Sequence, residues 1–298
     1  MKRMTRGIFY AIASGFCYGP LGYFGISILK NGASVYTMMF WRFAIASLFI
    51  APFISLTKVS LRSLVKTLLL VGSIYCIGAC AYFTSGKTIG TGLAMVIFFT
   101  YPAIVAFLNF VLYGSRLDRI YYIAIGMILL GMVFLADIRH LSFDVYGIGL
   151  SLFSGLCYAA YILISKNTPL SPLLSTFAVS IGCMLTALIL ALIDESFFIP
   201  QDLIVWVDIL GIGIICSAVP ILLFLESMKY ISAEQTSIFS VLEPVFTLIF
   251  GIILLGERIN MQQSIGIALL LSAALVTLLP QNLKTILLRF FQRFVKRP

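Results

Sequence analysis

The chain has 298 residues, 61% of them hydrophobic and only 10% charged, with a formal net charge of +9 and a mean hydropathy of +1.10. A soluble domain is about a quarter charged, so this composition cannot clothe a water-facing surface and the solvent for most of the chain is lipid. That excludes a soluble enzyme, and the positive charge is spread over loops and the carboxyl-terminal tail, which excludes a nucleic-acid patch.

In chain order, Met1 to Arg6 precede an apolar run, as in a signal peptide. The run is too long for one and is followed by further spans, so it reads as the first span. Ten segments are long enough to cross a core of ~30 Å, which takes about 20 helical residues. They are expected at 7–28, 34–55, 67–85, 91–113, 119–137, 146–165, 173–193, 203–225, 234–255 and 262–280. Short polar breaks separate them, among them LKNGAS, LTKVSLRSLVK and SKNTPLSP, and no long soluble loop interrupts the series. The six cysteines (Cys17, Cys76, Cys80, Cys157, Cys183, Cys216) all lie in apolar runs without a CxxC pair, and the single histidine, His140, builds no metal cluster. No cofactor and no metal are expected.

With the amino terminus placed in the cytoplasm, fifteen Lys and Arg fall on the inner side and four (Lys30, Lys87, Arg139, Arg258) on the outer, with Arg42 inside a span. This bias puts both termini inside. After the tenth span, Leu283, Ile286, Leu287, Phe290, Phe291 and Phe294 recur at helical spacing opposite Lys284, Arg289, Arg293, Lys296 and Arg297. The tail 282–298 therefore reads as an amphipathic helix on the inner leaflet.

The two halves resemble one another. SGFCYG at 14–19 matches SGLCYA at 154–159, Lys87 matches Lys229, Pro102 matches Pro244, and LYGSRL at 112–117 matches LLGERI at 254–259, at spacings of 140 to 142 residues. Five spans separate the copies, and five is odd, so the second copy enters the membrane inverted. Such repeats characterise secondary transporters. The expected architecture is an all-α membrane protein of ten transmembrane helices in two inverted five-helix repeats, 1–140 and 141–281, plus the interfacial tail.

The five-plus-five layout, the Pro-centred segments TYPAIVAFLNFVLYGSRL and LEPVFTLIFGIILLGERI, and FWRFAIASLFIAPF in the second span resemble the drug/metabolite transporter superfamily, EamA type. The resemblance covers roughly residues 7–280. It implies a ten-helix carrier of small organic solutes, such as amino acids and related metabolites, in a bacterial inner or plasma membrane. The first half departs from the second, with Tyr101 opposite Glu243 and Ser115 opposite Glu257.

A charge at bilayer depth costs at least ~2.5 kcal/mol on insertion scales, so Arg42 and Glu243 lead the candidate site. Arg42 reads either as a fixed cation for a substrate carboxylate, with Trp41 beside it, or as a structural ion pair or snorkel. Glu243 precedes Pro244, which leaves carbonyls free nearby. It reads as a proton acceptor, a partner of Arg42, a cation site or a structural group. Tyr18, Tyr101 and Tyr158 stand close to Gly or Pro breaks, and Asn109 is an amide at membrane depth that bonds either substrate or another helix. Pro20, Gly22, Pro102, Pro220 and Pro244 are candidate hinges. Asp137, Asp194, Asp208, Glu226, Glu234 and Glu257 fall near span ends and are expected at the interface.

The leading function is a secondary transporter of a small amphipathic metabolite by alternating access, proton-coupled or exchanging, with the bilayer and a small molecule as partners and no nucleic acid. The absence of a Walker motif argues against ATP hydrolysis in cis, and an intramembrane enzyme is disfavoured by the absence of HExxH and by the loop position expected for His140, flanked by Asp137 and Asp144. A non-transporting scaffold or receptor is the remaining alternative. Oligomeric state has no signature in this sequence.

Overall fold

A computed structural model describes residues 2–54, 60–114, 118–135, 144–256 and 259–278. The expectations placed on His140, Asp137, Arg139, Ser115, Glu257, Arg258, Lys58 and the tail 282–298 lie outside the described residues.

The described chain is helical throughout, without strands. Nine helical stretches in it are long and apolar enough to cross a membrane, and Arg119–Leu135 supplies a shorter tenth. The first span is two helices, α1 (Lys2–Tyr18) and α2 (Leu21–Lys30), which meet at Gly19–Pro20. The second is α3 (Val35–Ile50), capped by the Ser34 hydroxyl, which accepts the Thr37 N–H at 3.0 Å. The third begins earlier than the expected residue 67. α4 (Leu61–Lys66) is capped by Ser60 and runs through a π-helical turn at Thr67–Val71 into α5 (Gly72–Ile89). The basic residues Arg62 and Lys66, expected in a loop, therefore ride on a helix that continues the apolar run.

The fourth span is again broken, α6 (Thr91–Phe98) and α7 (Tyr101–Tyr113) meeting at Phe99–Thr100. The fifth and sixth are α8 (Arg119–Leu135) and α9 (Val145–Lys166), and the seventh is α10 (Pro172–Ile193). The eighth joins α11 (Leu203–Leu210) to α12 (Val219–Ser227) through a second π-helical stretch, Gly211–Ala218. The ninth is broken at Val241–Leu242 into α13 (Ala233–Ser240) and α14 (Glu243–Leu255), and α15 (Met261–Leu278) is the tenth.

The expected hinges fall into two groups. Pro20, Pro102 and Pro244 stand at the breaks, and Pro102 and Pro244 lie in the first turn of α7 and α14, where a missing N–H costs nothing. Pro220 does not break its span: the helix continues through it from the π-helical stretch.

Packing recurs with partners exchanged. α1 lies against α12, α13 and α14, as α9 lies against α5, α6 and α7; α3 pairs with α10, and α8 with α15. The closest approach joins the third and seventh spans: a Cβ on Gly72 would stand 2.7 Å from the Gly182 Cα, and one on Gly182 would overlap the Leu68 carbonyl. With no hydrophobic drive between helices in lipid, contact this close makes dispersion do the work. The two ends of the bundle are identified by contacts. Tyr10 meets Tyr230 at a ring separation of 5.9 Å near the amino terminus, and Ser85 donates to the Gly147 carbonyl at 2.8 Å at the opposite end.

Candidate functional site

The repeated Ser-Gly-x-Cys-Tyr motif explains where the bundle is hollow. Gly15 on α1 lies against the break of the ninth span, where an added Cβ would stand 3.3 Å from the Glu243 nitrogen and 3.4 Å from the Ser240 carbonyl oxygen. Gly155 on α9 lies against the break of the fourth, 3.2 Å from the Phe98 carbonyl oxygen by the same construction. Ser240 and Phe98 are the residues four before Pro244 and Pro102, whose missing N–H groups leave those carbonyls without a helical partner. A Cβ at either site would be tighter than ordinary contact, so glycine eases the approach of the neighbouring helix. The tyrosine three residues on, Tyr18 or Tyr158, then reaches a central cavity of about 560 Å³.

The cavity floor is formed by Tyr18, Arg42, Tyr75, Tyr158 and Glu243. Its walls come from α2, α5, α6 and α14 and are mostly apolar, with Met95, Phe98 and Phe250 among them; Ser154 and Thr247 add hydroxyls. Lys30, Lys87 and Thr91, all exposed, stand at its rim. The cavity thus opens at the end opposite the amino terminus.

Arg42 is 2% exposed. Its Nε donates to the Ser217 hydroxyl at 2.5 Å and its Nη2 to the Cys216 carbonyl at 2.9 Å, and its guanidinium carbon lies 5.1 Å from the Phe43 ring centre. Cys216 lies in the π-helical stretch that runs up to Pro220, and its carbonyl accepts from the arginine. Ser217 passes its own proton to the Ile212 carbonyl at 2.7 Å, which orients its lone pairs toward Arg42. Two of five guanidinium N–H groups are thereby bonded to protein, and Arg42 is among the residues that line the cavity. Glu243 opens α14, where the helix dipole favours a carboxylate. Among the described residues the one ion pair is Lys229–Glu226 at 2.9 Å, so Arg42 and Glu243 share the cavity without touching.

Tyr18 and Tyr75 share a hydroxyl–hydroxyl hydrogen bond of 3.2 Å. Tyr158 stacks into an aromatic cluster with Tyr75, Tyr161, Phe98 and Phe224, at ring separations between 5.4 and 6.1 Å.

Three expected site residues stand away from the cavity wall. Trp41 neighbours Arg42 in sequence, but adjacent helical positions point about 100° apart. It donates instead to the Phe198 carbonyl at 3.2 Å and packs on Trp206 at 4.8 Å. Tyr101 lies beneath the floor, its ring 4.8 Å from that of Tyr158 and its hydroxyl 2.5 Å from the Ser240 hydroxyl. Asn109 lies farther toward the amino-terminal end and donates to the Glu234 carboxylate. With Gln235, whose amide donates to the Tyr121 hydroxyl at 2.5 Å, and Lys166, whose ammonium donates to the Met228 and Ile231 carbonyls, these contacts seal that end. Two carboxylates expected at the interface are buried: Glu234, 4% exposed, and Asp208, 9% exposed, which accepts the Ser27 hydroxyl at 2.6 Å. Of the hinge candidates, Gly22 lines the cavity with nothing near it.

Sequence reasoning did not single out Ser217, Cys216, Ser154 or Tyr75. The first two lie in a π-helical stretch that hydropathy does not mark. Tyr75 has no marker among 14 tyrosines and 25 phenylalanines.

Comparison with known proteins agrees with this architecture. A solved crystal structure superposes with a TM-score of 0.74 over 92% of this chain and 96% of its own, at 18% identity. An uncharacterized transporter of Archaeoglobus fulgidus is 26% identical over 259 residues, 86% of this chain and 91% of the relative. A second from the same organism is 31% identical over 216 residues, 69% and 73% of the two chains. The threonine/homoserine exporter RhtA of Escherichia coli K12 is 26% identical over 201 residues, 65% of this chain and 64% of the exporter. The profile of the EamA-like transporter family matches residues 5–136 and 145–279, and with ten spans around a central cavity the chain belongs to that family of integral, multi-pass membrane transporters.

Proposed function

We propose that this transporter is a secondary carrier of small zwitterionic metabolites, amino acids or close relatives, working by alternating access between two inverted five-helix repeats. The observation that carries the reading is the pairing of Arg42 and Glu243 on one cavity floor without mutual contact. An α-amino acid brings one carboxylate and one ammonium. Arg42 presents unspent donors to the first, and Glu243 an acceptor to the second. The tyrosine hydroxyls supply orientation, and the apolar walls accommodate a side chain. The name of the RhtA relative, an exporter of threonine and homoserine, supports the same substrate class.

The lysine and arginine bias supports an amino terminus on the cytoplasmic side. On that orientation the cavity faces outward and the bonds of Tyr101, Asn109, Gln235 and Lys166 form the closed cytoplasmic gate. Glu243 doubles as the group through which a proton gradient is coupled.

Proteoliposome uptake tests the reading. The panel is neutral, aromatic, basic and sulfur amino acids and S-adenosylmethionine, with and without a proton gradient. Saturable uptake of one amino-acid class, lost in Arg42→Ala protein that stays monodisperse, is expected. Uptake unaltered by that substitution removes Arg42 from the site. No uptake of any compound by folded protein favours the scaffold reading.

A further inference from the structure

A second cleft, of about 270 Å³, lies at the amino-terminal end of the bundle, between the last turn of α9, the first turn of α10 and the turn after α12. Ser165, Lys166, Thr168, Ser175 and Lys229 border it. Two of these are orphans. The Ser165 and Ser175 hydroxyls belong to residues 8% and 2% exposed, and neither has a hydrogen-bond partner in the protein. Buried polar groups are ordinarily paired, because an unmade bond forfeits the whole of a group's hydration. Both serines border a space large enough to hold what would pair them; each oxygen is itself covered and would reach that space by a turn about its Cα–Cβ bond.

The chemistry of that space points one way. Two ammonium groups border it and no carboxylate does. Lys166 spends N–H groups on the Met228 and Ile231 carbonyls, which leaves one of its three. Lys229 is held from outside the wall by Glu226 and remains half-exposed. The 22-residue helix α10 starts here, and Pro172 and Ser175 of its first turn border the cleft, so the positive end of its dipole adds to the two lysines. Thr168 gives its proton to the Ile164 carbonyl and offers only lone pairs, the one border hydroxyl unable to donate.

We infer that this cleft binds the phosphate group of an anionic ligand, either the head group of an acidic phospholipid or free phosphate. The cleft lies at span ends, at the level where head groups sit, and its donors converge from three spans. Binding would tie α10 to Lys166, whose other bonds hold the turn leading into α13. The site is separate from the central cavity and does not rest on the amino-acid reading.

The experiment uses the full-length protein in nanodiscs. One arm holds it in phosphatidylcholine and titrates inorganic phosphate against chloride of equal ionic strength, reading the thermal midpoint. The other adds phosphatidylglycerol and counts retained acidic lipids by native mass spectrometry. The Ser165→Ala/Ser175→Ala double variant removes two groups that bond to nothing in the fold and so retains it; Lys229→Gln is the second variant. A response to phosphate alone assigns the site to the free anion, and retention of phosphatidylglycerol alone assigns it to lipid. In either case the double variant binds at least roughly tenfold more weakly, the loss of two hydrogen bonds to a charged group. The inference is overturned if neither arm responds, if chloride matches phosphate, or if the double variant binds as the wild type does.

Discussion

At the scale of the residue, Arg42 is a buried charge held by the π-helical stretch of the eighth span, spending one donor on the Cys216 carbonyl and one on the Ser217 hydroxyl. A lysine keeps the charge but not the two-point hold, so Arg42→Lys is expected to fold and to transport poorly. Ser217→Ala removes a hydrogen bond to a charged group, of the order of 1.5–3 kcal/mol, and should raise KM for a carboxylate substrate by roughly tenfold or more. Radiotracer uptake at graded substrate concentrations checks both. Glu243 must be ionised to hold an ammonium. Apparent affinity therefore falls as pH drops through its titration, and Glu243→Gln should flatten that profile; an unchanged profile makes the residue structural. Both charges were legible in sequence because an ionised group inside an apolar run has few structural reasons to be there. Trp41 and Tyr101 stand off the cavity wall, and Asn109 takes the second of its two readings, a bond to another helix. Nearness along a helix is not nearness in space, and each turned to a bond available only in the assembled bundle.

At the scale of the element, the span positions were readable from hydropathy, whereas the breaks inside them were only half readable. Pro102 and Pro244 mark the fourth and ninth spans, yet each break falls just before its proline, because proline suits the first turn of the new helix. Pro220 looks the same in sequence and breaks nothing. The difference is the π-helical stretch before it, in which the Cys216 carbonyl accepts from Arg42 and the Ile212 carbonyl from the Ser217 hydroxyl. The glycines carry the close packing. Gly182→Ala would drive a methyl into the Leu68 carbonyl, which is backbone and cannot yield. Overpacking of this kind costs typically ~1–3 kcal/mol, so the thermal midpoint in detergent should drop. Gly149→Ala, with nothing within 4 Å, is the control and should leave it in place.

At the scale of the whole molecule, one end of the bundle is open and the other is bonded shut. Thr247→Cys, in a background without the native cysteines, should react with a membrane-impermeant thiol reagent added from the side opposite the amino terminus. Ser237→Cys, buried at the sealed end beneath Tyr101, should not. Substrate at saturation should reduce the first reaction, since substrate occupies and closes the cavity. Tyr101→Phe deletes the bond to Ser240 and should weaken the seal, raising labelling of Ser237→Cys from the amino-terminal side. Protection that does not change would move the gate to Asn109 and Gln235.

The joint at Gly19–Pro20 has no counterpart in α9, which crosses without interruption for 22 residues. One mouth can therefore close by bending half a helix, while the other must move a whole rod, Lys166 and its bonds included. On the alternating-access reading, the two half-cycles should climb barriers of different height. With gradients collapsed, its maximal rates inward and outward should differ. The ratio of maximal rate to KM must stay equal in both directions, because an uncoupled cycle has no free energy with which to break that balance. An inequality that appears only when an ion gradient is restored would reveal coupling to that gradient, from tracer flux alone.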